Sequence, residues 1–319
     1  MTGKPTLRQE LEVRADALAA IRRFFTERQV LEVETPSLSA TAATDPALTS
    51  LSLELESLRG PHYLQTSPEH AMKRLLAAGS GDIFQIARVY RDGELGRWHQ
   101  PEFTLLEWYR VGFDEFALMK EVHELLGLLL AARFPDLPRL DLRFADAFAD
   151  ALGVDPLNLD PAACDHLIAA LQSHGVDVPV GLTSDALIDL ALSTVMVAGW
   201  PRDTAVFLYD YPASQAALAA IKPGPPPVAA RFEVFVNGLE LGNGFRELTD
   251  AAEQKRRFET DLAFRRANGL AEPPLDDALI AALELGLPEC AGVALGVDRL
   301  IALRIGASSL ADVINFPHP

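Results

Sequence analysis

The chain has 319 residues, enough for a sizeable core in one domain or two, and its 49% hydrophobic and 23% charged residues are those of a globular protein. With 45 acidic against 28 basic residues, the formal net charge is −17, which leaves little room for the basic stripe of a nucleic-acid binder. That field suits a basic partner or a small cationic substrate, and it serves solubility equally well.

Two cysteines, Cys164 and Cys290, form neither a disulfide framework nor a metal-ligand spacing. The N-terminus lacks a signal-peptide pattern. The longest apolar stretch, 187–200, is interrupted by Asp189 and is too short to span a bilayer. A cytoplasmic location with no membrane partner is expected.

Residues 7–29 carry Leu11, Ala15, Leu18, Ile21 and Phe25 at helical spacing and predict an amphipathic helix. It leads into a short alternating strand, 30–36, stopped by Pro36. Ser67-Pro68-Glu69 predicts a helix start, with Ser67 as N-cap and Glu69 near the positive dipole end, and Gly79 closes that helix. Residues 82–91 and 102–111 are strand-like, separated by a polar loop with Arg97, Trp98 and His99. Further helices are predicted at roughly 114–133, 161–174 and 184–197. The Pro-rich run 222–227 reads as an exposed loop inside one domain, 1–319, with an insertion expected over about 135–230. Long helices among antiparallel strands indicate an α+β fold rather than a doubly wound sheet.

The clearest hairpin is Arg231 to Val236, a turn at Asn237-Gly238, and Leu239 to Phe245. A two-residue turn predicts Val236 opposite Leu239, Phe235 opposite Glu240, Val234 opposite Leu241 and Glu233 opposite Gly242. Side chains 233, 235, 240 and 242 then share one face. Glu233 and Glu240 become diagonal neighbours, and converging carboxylates repel unless a cation or proton lies between them. Alone, such a pair reads as a solvated polar face. With Gly242 and Gly244 beside it, expected to leave space for a ligand against the sheet, it reads as a Mg²⁺ site shared with phosphates.

Arg91 and Arg299 each end a strand-like run and present a fixed fork of donors suited to phosphate oxygens. Phe103 follows Pro101-Glu102 at a strand start, where its ring can stack on a base or join the core. His99 lies in the loop between, within reach of distal phosphates. Glu107, Tyr109 and Glu247 are polar groups on apolar segments and suit an ammonium ligand, although Tyr109 and Trp108 equally suit core packing.

These segments resemble motifs 1, 2 and 3 of the class II aminoacyl-tRNA synthetases, lysyl subclass. Motif 1 matches at 21–36, motif 2 at 84–110 and motif 3 at 288–304. The run Glu240-Leu241-Gly242-Asn243-Gly244-Phe245-Arg246-Glu247 is similar to that family's metal- and lysine-binding strand. The lysyl enzymes carry an N-terminal anticodon-binding domain, which is not expected in this chain. Its length, its acidity and Thr66-Ser67-Pro68-Glu69 resemble the EpmA (PoxA or GenX) family of elongation factor P–(R)-β-lysine ligases. Ser67 and Ala294 stand where the lysyl enzymes usually have Ala and Gly, an exchange the resemblance associates with choosing a β-amino acid.

The resemblance implies a catalytic domain with an antiparallel sheet flanked by helices, and a homodimer. It implies that Arg91 and Arg299 hold the ATP phosphates as catalytic groups. Asp92, Gly93, Glu94, His99, Gln100, Phe103, Glu240, Leu241 and Gly296 would complete the nucleotide site, and Glu233 and Glu240 would ligate Mg²⁺. Ser67, Pro68, Glu69, Glu107, Tyr109, Asn243, Glu247 and Ala294 would form the amino-acid pocket, with Glu247 nearest the side-chain ammonium. One departure stands out. The family reads Arg-x-Glu in motif 2, whereas here Arg91-Asp92 is followed by Gly93, and Glu94 is the residue expected to take over that contact.

The implied reaction is ATP-dependent adenylation of (R)-β-lysine and its transfer to a lysine of elongation factor P. The rivals are a stand-alone lysyl-tRNA synthetase using α-lysine, which the net charge disfavours, and a non-catalytic amino-acid or nucleotide binder, against which Arg91, Arg299, Glu233 and Glu240 speak.

Overall fold

The computed structural model of the chain describes residues 7–318. Helix α1 (Leu7–Glu27) buries Ala17, Ile21, Phe24 and Phe25. Each large apolar side chain so buried contributes about 1.5–3 kcal/mol. Leu11 and Ala15, expected on the inner stripe, are exposed, because Val13 packs against the core in their place and full burial begins at Ala17.

Short strands β1 (Leu31–Glu32), β2 (Leu38–Ser39), β3 (Ser52–Glu54) and β4 (Pro61–Leu64) precede α2 (Glu69–Ala77). The helix starts one residue later than Ser67 as N-cap requires. Pro68 flanks it, while the Ser67 hydroxyl accepts the Glu69 N–H at 3.0 Å. Then come β5 (Ile83–Tyr90), β6 (Glu102–Val111), α3 (Glu115–Leu130), β7 (Arg139–Arg143), α4 (Phe144–Leu152), α5 (Pro161–Ser173) and α6 (Ser184–Ala191). A π-helical turn, Leu192–Met196, joins α6 to α7 (Val197–Gly199). The rest is β8 (Ala205–Pro212), β9 (Ile221–Lys222), β10 (Val228–Val236), β11 (Leu239–Arg246), α8 (Ala251–Ala267), α9 (Asp277–Gly286), β12 (Cys290–Gly296) and α10 (Val297–Ile305).

Strands run in the order β1-β5-β6-β12-β11-β10-β8-β7, with β9 beside β10. Pairing is antiparallel except at the two ends, where β1 lies parallel to β5 and β7 parallel to β8. Strands β2, β4 and β3 form a separate small sheet.

The period of two along each strand decides what the sheet shows on its faces. Leu106 and Trp108 of β6, Val293 and Leu295 of β12, and Phe232 and Val234 of β10 join the core under α1, α3 and α10. Their neighbours Glu107, Tyr109, Gly292 and Ala294 therefore face the other way. On that side α2, α8 and α9 build a second core, around Met72, Tyr109, Phe258 and Leu283. The expected insertion builds a third, around Phe144, Phe148, Leu187 and Tyr211. Strands β7, β8 and β9 of that region extend the main sheet rather than forming their own. A cavity opens between the second and third cores, over the middle strands.

The β10–β11 hairpin departs from the expected register. Val236 pairs with Leu239 and Phe235 with Glu240, but the ladder then shifts, setting Val234 opposite Gly242 and Glu233 opposite Asn243. One extra residue, Leu241, is taken up in a bulge and turns into the core. Parity flips beyond it, so Asn243, not Gly242, faces the cavity. Gly242 and Gly244 leave no room for a ligand. A Cβ on Gly242 would lie 2.7 Å from the Ala294 carbonyl oxygen, and one on Gly244 2.7 Å from the Phe232 ring and Val293. Close strand packing requires these two glycines.

Candidate active site

One cavity of about 1370 Å³ gathers most of the sequence-predicted residues. At one end Ser67, Pro68 and Glu69 from the start of α2 meet Glu107 and Tyr109 of β6, Asn243 of β11, Ala294 of β12, and Glu247 just after β11. Ser67 donates to Glu107 Oε2 at 2.6 Å, and the Tyr109 hydroxyl donates to Glu107 Oε1 at 2.6 Å. Ala294 is the cross-strand partner of both Glu107 and Asn243. The absent side chain of Gly292 is what lets Glu247 lie against Tyr109, since a Cβ there would meet the Tyr109 ring and stand 2.5 Å from Glu247 Oε1.

Sequence reasoning missed the cation behind this pocket's wall, which itself does not line the cavity. Lys73, one turn after Glu69 on α2, is buried, with Nζ 2.8 Å from Glu69 Oε1 and 2.6 Å from Glu247 Oε2. A lysine on the apolar face of an otherwise amphipathic helix was the signal available. Its burial works to lower its proton affinity, but Glu247 and Glu69 outweigh that and hold the ammonium charged. Three carboxylates therefore share one ammonium, and negative charge is in excess. Burial, reinforced by Glu69, pushes Glu107 up to about 7. Burial pushes Glu247 up to about 8 against the pull of Lys73. Such a site gains most from a cationic ligand.

At the other end, Arg91 Nε donates to the Thr66 carbonyl at 3.2 Å, and its guanidinium lies 5.1 Å from the Phe103 ring centroid. Gly93 has φ of +79°, and the loop folds so that Glu94 Oε1 stands 3.4 Å from Arg91 Nη1. Arg299 at the start of α10 donates to the Trp98 carbonyl at 3.2 Å, to the Glu240 carbonyl at 2.9 Å and to His99 Nε2 at 2.8 Å. Burial, then Arg299, lowers the proton affinity of His99, which leaves its ring free to accept that bond. Glu94, His99, Gln100, Phe103, Glu240, Leu241 and Gly296 all line the cavity; Asp92 and Gly93 do not. Asp92 instead accepts the Gly93 N–H and shapes the turn. A Cβ on Gly296 would come no closer than 3.7 Å to any neighbour, so the strand end is open there.

Glu233 also stands back from the cavity wall. Arg231, a second residue the sequence reading did not single out, lies in front of it, donating to Glu233 Oε1 at 2.6 Å, to Asn243 Oδ1 at 3.1 Å and to the Gln215 carbonyl at 2.6 Å. Tyr211 lies beneath that guanidinium, 4.5 Å from ring centroid to Cζ. Burial pushes Glu233 up to about 7, with Arg231 opposing and Glu240 adding to the rise. This pair of hard oxygen donors fits a divalent ion, with Glu240 open to the cavity and its charge adding to the cost of ionising Glu233 until a cation is shared. Among the described residues no group of three His, Cys, Asp or Glu is placed to hold a metal ion.

Residues 2–319 match the profile of the class II tRNA synthetases of the D, K and N group. The chain belongs to that family. It is 47% identical to the elongation factor P–(R)-β-lysine ligase of Vibrio cholerae, over 97% of this chain and 95% of the relative. It is likewise 47% identical to the ligase of that name from Pectobacterium atrosepticum, and 46% identical to one from Klebsiella pneumoniae, each over 95% of this chain and 93% of the relative. Membership accounts for the placement of motif 2 on β5–β6 and motif 3 on β12–α10, side by side through the β6–β12 ladder. No helix among the described residues is long and apolar enough to cross a membrane.

Proposed function

We propose that the chain activates (R)-β-lysine with ATP and transfers it to a lysine side chain of translation elongation factor P, acting as a homodimer in the cytoplasm. The observation that carries this reading is the bond of the Ser67 hydroxyl to Glu107, opposite Ala294 on the next strand, in a pocket whose three carboxylates outnumber its one ammonium. Those two positions are where the chain resembles the β-lysine ligases rather than the lysyl-tRNA synthetases, and relatives nearly half identical along their length bear that name.

In the first step a carboxylate oxygen of the amino acid attacks the α-phosphorus, the bond to the bridging oxygen breaks, and pyrophosphate leaves. Arg91 and Arg299 offset the charge growing on the phosphate oxygens, and Phe103 offers a face to the adenine. Glu233 and Glu240 would hold Mg²⁺, which when bound supplies further charge neutralisation. The ammonium groups of the substrate are held by Glu69, Glu107, Glu247 and Asn243. In the second step a deprotonated acceptor amine attacks the acyl carbon, AMP leaves with the bonding pair, and the new amide nitrogen gives up one proton to solvent. Few basic residues remain to bind tRNA phosphates on a chain of net charge −17.

Amino-acid-dependent ATP–pyrophosphate exchange tests the reading. Strong exchange with (R)-β-lysine and weak exchange with α-lysine is expected, followed by mass addition to purified elongation factor P. Preference for α-lysine would identify a synthetase relative instead, and no exchange with either a binding protein. A monomer in light scattering at micromolar concentration would remove the dimer.

A further inference from the structure

We propose that Lys73 is the specificity-setting counter-charge of the amino-acid pocket: held between Glu69 and Glu247, its ammonium leaves two negative charges in excess and so matches the pocket to a ligand with two ammonium groups. The inference rests on the reading of this pocket as a diamino-acid site, and it assigns a role to a residue that neither contacts the nucleotide end nor belongs to the core.

Lys73 is only 1% exposed, as is the Glu247 side chain, while Glu69 keeps 19% of its side chain open to the cavity. Both contacts are close ion pairs, so Lys73 Nζ offsets the charge of the two carboxylates at once. The Phe245 ring lies 5.5 Å from Nζ on a third side. Around it, Glu69, Glu107 and Glu247 carry up to three negative charges, and Tyr109 stays neutral because burial, then Glu107, raises its proton affinity. With all three carboxylates ionised, they and the one ammonium sum to −2. A substrate with two ammonium groups restores neutrality in this buried space, whereas an amino acid with one leaves a buried charge uncompensated. Without Lys73 the same pocket would sum to −3 and would take up a proton to lower its charge. Lys73 also ties α2 to the residue after β11, which fixes the spacing of the two carboxylates that straddle it.

The experiment is calorimetric titration of the full chain with (R)-β-lysine and with α-lysine, in two buffers of different ionisation heat, from pH 6 to 9. The proteins are wild type, Lys73→Arg and Lys73→Met, with Glu69→Gln/Lys73→Met as a charge-restored variant; melting temperatures report folding. With Lys73→Met, binding at pH 7 should weaken about tenfold or more and expel about one extra proton, because the proton replacing the internal ammonium must leave. Its affinity–pH profile should shift upward in pH, and Lys73→Arg should behave as wild type in proton release. Glu69→Gln/Lys73→Met should return proton release to the wild-type value even where affinity stays low, and it serves if the single variant does not fold. Unchanged proton release and an unshifted profile in Lys73→Met, or in the double variant an excess proton still expelled, would overturn the role of Lys73. If wild type binds neither diamino acid, the reading of the pocket fails, and this proposal with it.

Discussion

Ser67 donates its hydroxyl to Glu107 Oε2 at 2.6 Å and accepts the Glu69 N–H on the same oxygen at 3.0 Å. The hydroxyl already orients a carboxylate and has one lone pair left to the pocket. Ser67→Ala removes a bond to a charged group, worth about 1.5–3 kcal/mol. Since that bond lowers the proton affinity of Glu107, its loss raises it beyond about 7. The KM for the amino acid at pH 7 should rise about tenfold, with the KM for ATP unchanged. Repeating the measurement at pH 9, where Glu107 is ionised in both proteins, should narrow the gap.

The same elevated carboxylates set a direction for stability against pH. Glu107 and Glu233 are pushed up to about 7 and Glu247 to about 8, from an ordinary 4.5, chiefly by burial. Between about pH 4.5 and 8 the folded chain therefore binds more protons than the unfolded one, so stability falls as pH rises through that window. Self-repulsion at a net charge of −17 acts in the same sense. The melting temperature should be higher at pH 6 than at pH 8.5, and Glu107→Gln should flatten that slope. A diammonium ligand, which favours the ionised carboxylates, should protect most at the higher pH. A melting temperature that climbs from pH 6 to 8.5 without ligand would contradict this account.

Much of this was legible from local pattern. The strand boundaries of β5 and β6 and the starts of α5 and α6 lie within a residue or two of where periodicity and capping residues put them. The pocket residues fall together because Glu107 and Tyr109, and Gly292 and Ala294, alternate with core residues along adjacent strands. What sequence could not supply was long-range. The Leu241 bulge leaves no mark in an alternating run, yet it decides whether Gly242 or Asn243 meets the ligand. Lys73 owes its importance to Glu247, far along the chain, and Arg231 to the Gln215 carbonyl and to Asn243 across the hairpin, as well as to nearby Glu233. Helices α4, α8, α9 and α10 have no counterpart in the sequence reading, which ended a strand at Arg299 where α10 begins; α8 is so polar that its burial of Phe258 shows no clean stripe.

The metal reading turns on Glu240, whose side chain faces the cavity while Glu233 is covered by Arg231. Glu240→Gln should raise the Mg²⁺ concentration needed for half-maximal exchange about tenfold, the scale of one lost charge-assisted ligand. Arg231→Lys should shift that concentration the other way, downward, because it loosens the fork that competes with the ion for Glu233. Exchange rates across a Mg²⁺ titration at fixed ATP decide the matter, and a Glu240→Gln curve superposed on wild type would leave Glu240 with no metal to hold.

Gly292 offers the sharpest structural test, because it separates packing from chemistry at one atom. Its φ is not in the left-handed region, so alanine carries no backbone strain there; the whole cost is contact with the Tyr109 ring and with Glu247 Oε1 at 2.5 Å. The sheet cannot open, since β12 is held by β6 on one side and β11 on the other. Gly292→Ala should therefore lower stability by about 1–3 kcal/mol and displace Glu247 from Lys73. Amino-acid affinity should fall at least as far as in Ser67→Ala, while nucleotide binding at the Arg91–Arg299 end is retained. Gly296→Ala, with its nearest neighbour 3.7 Å away, should leave stability unchanged and impair only the nucleotide end. Measuring melting temperature together with separate titrations of ATP and amino acid would show whether the two glycines divide the cavity in this way.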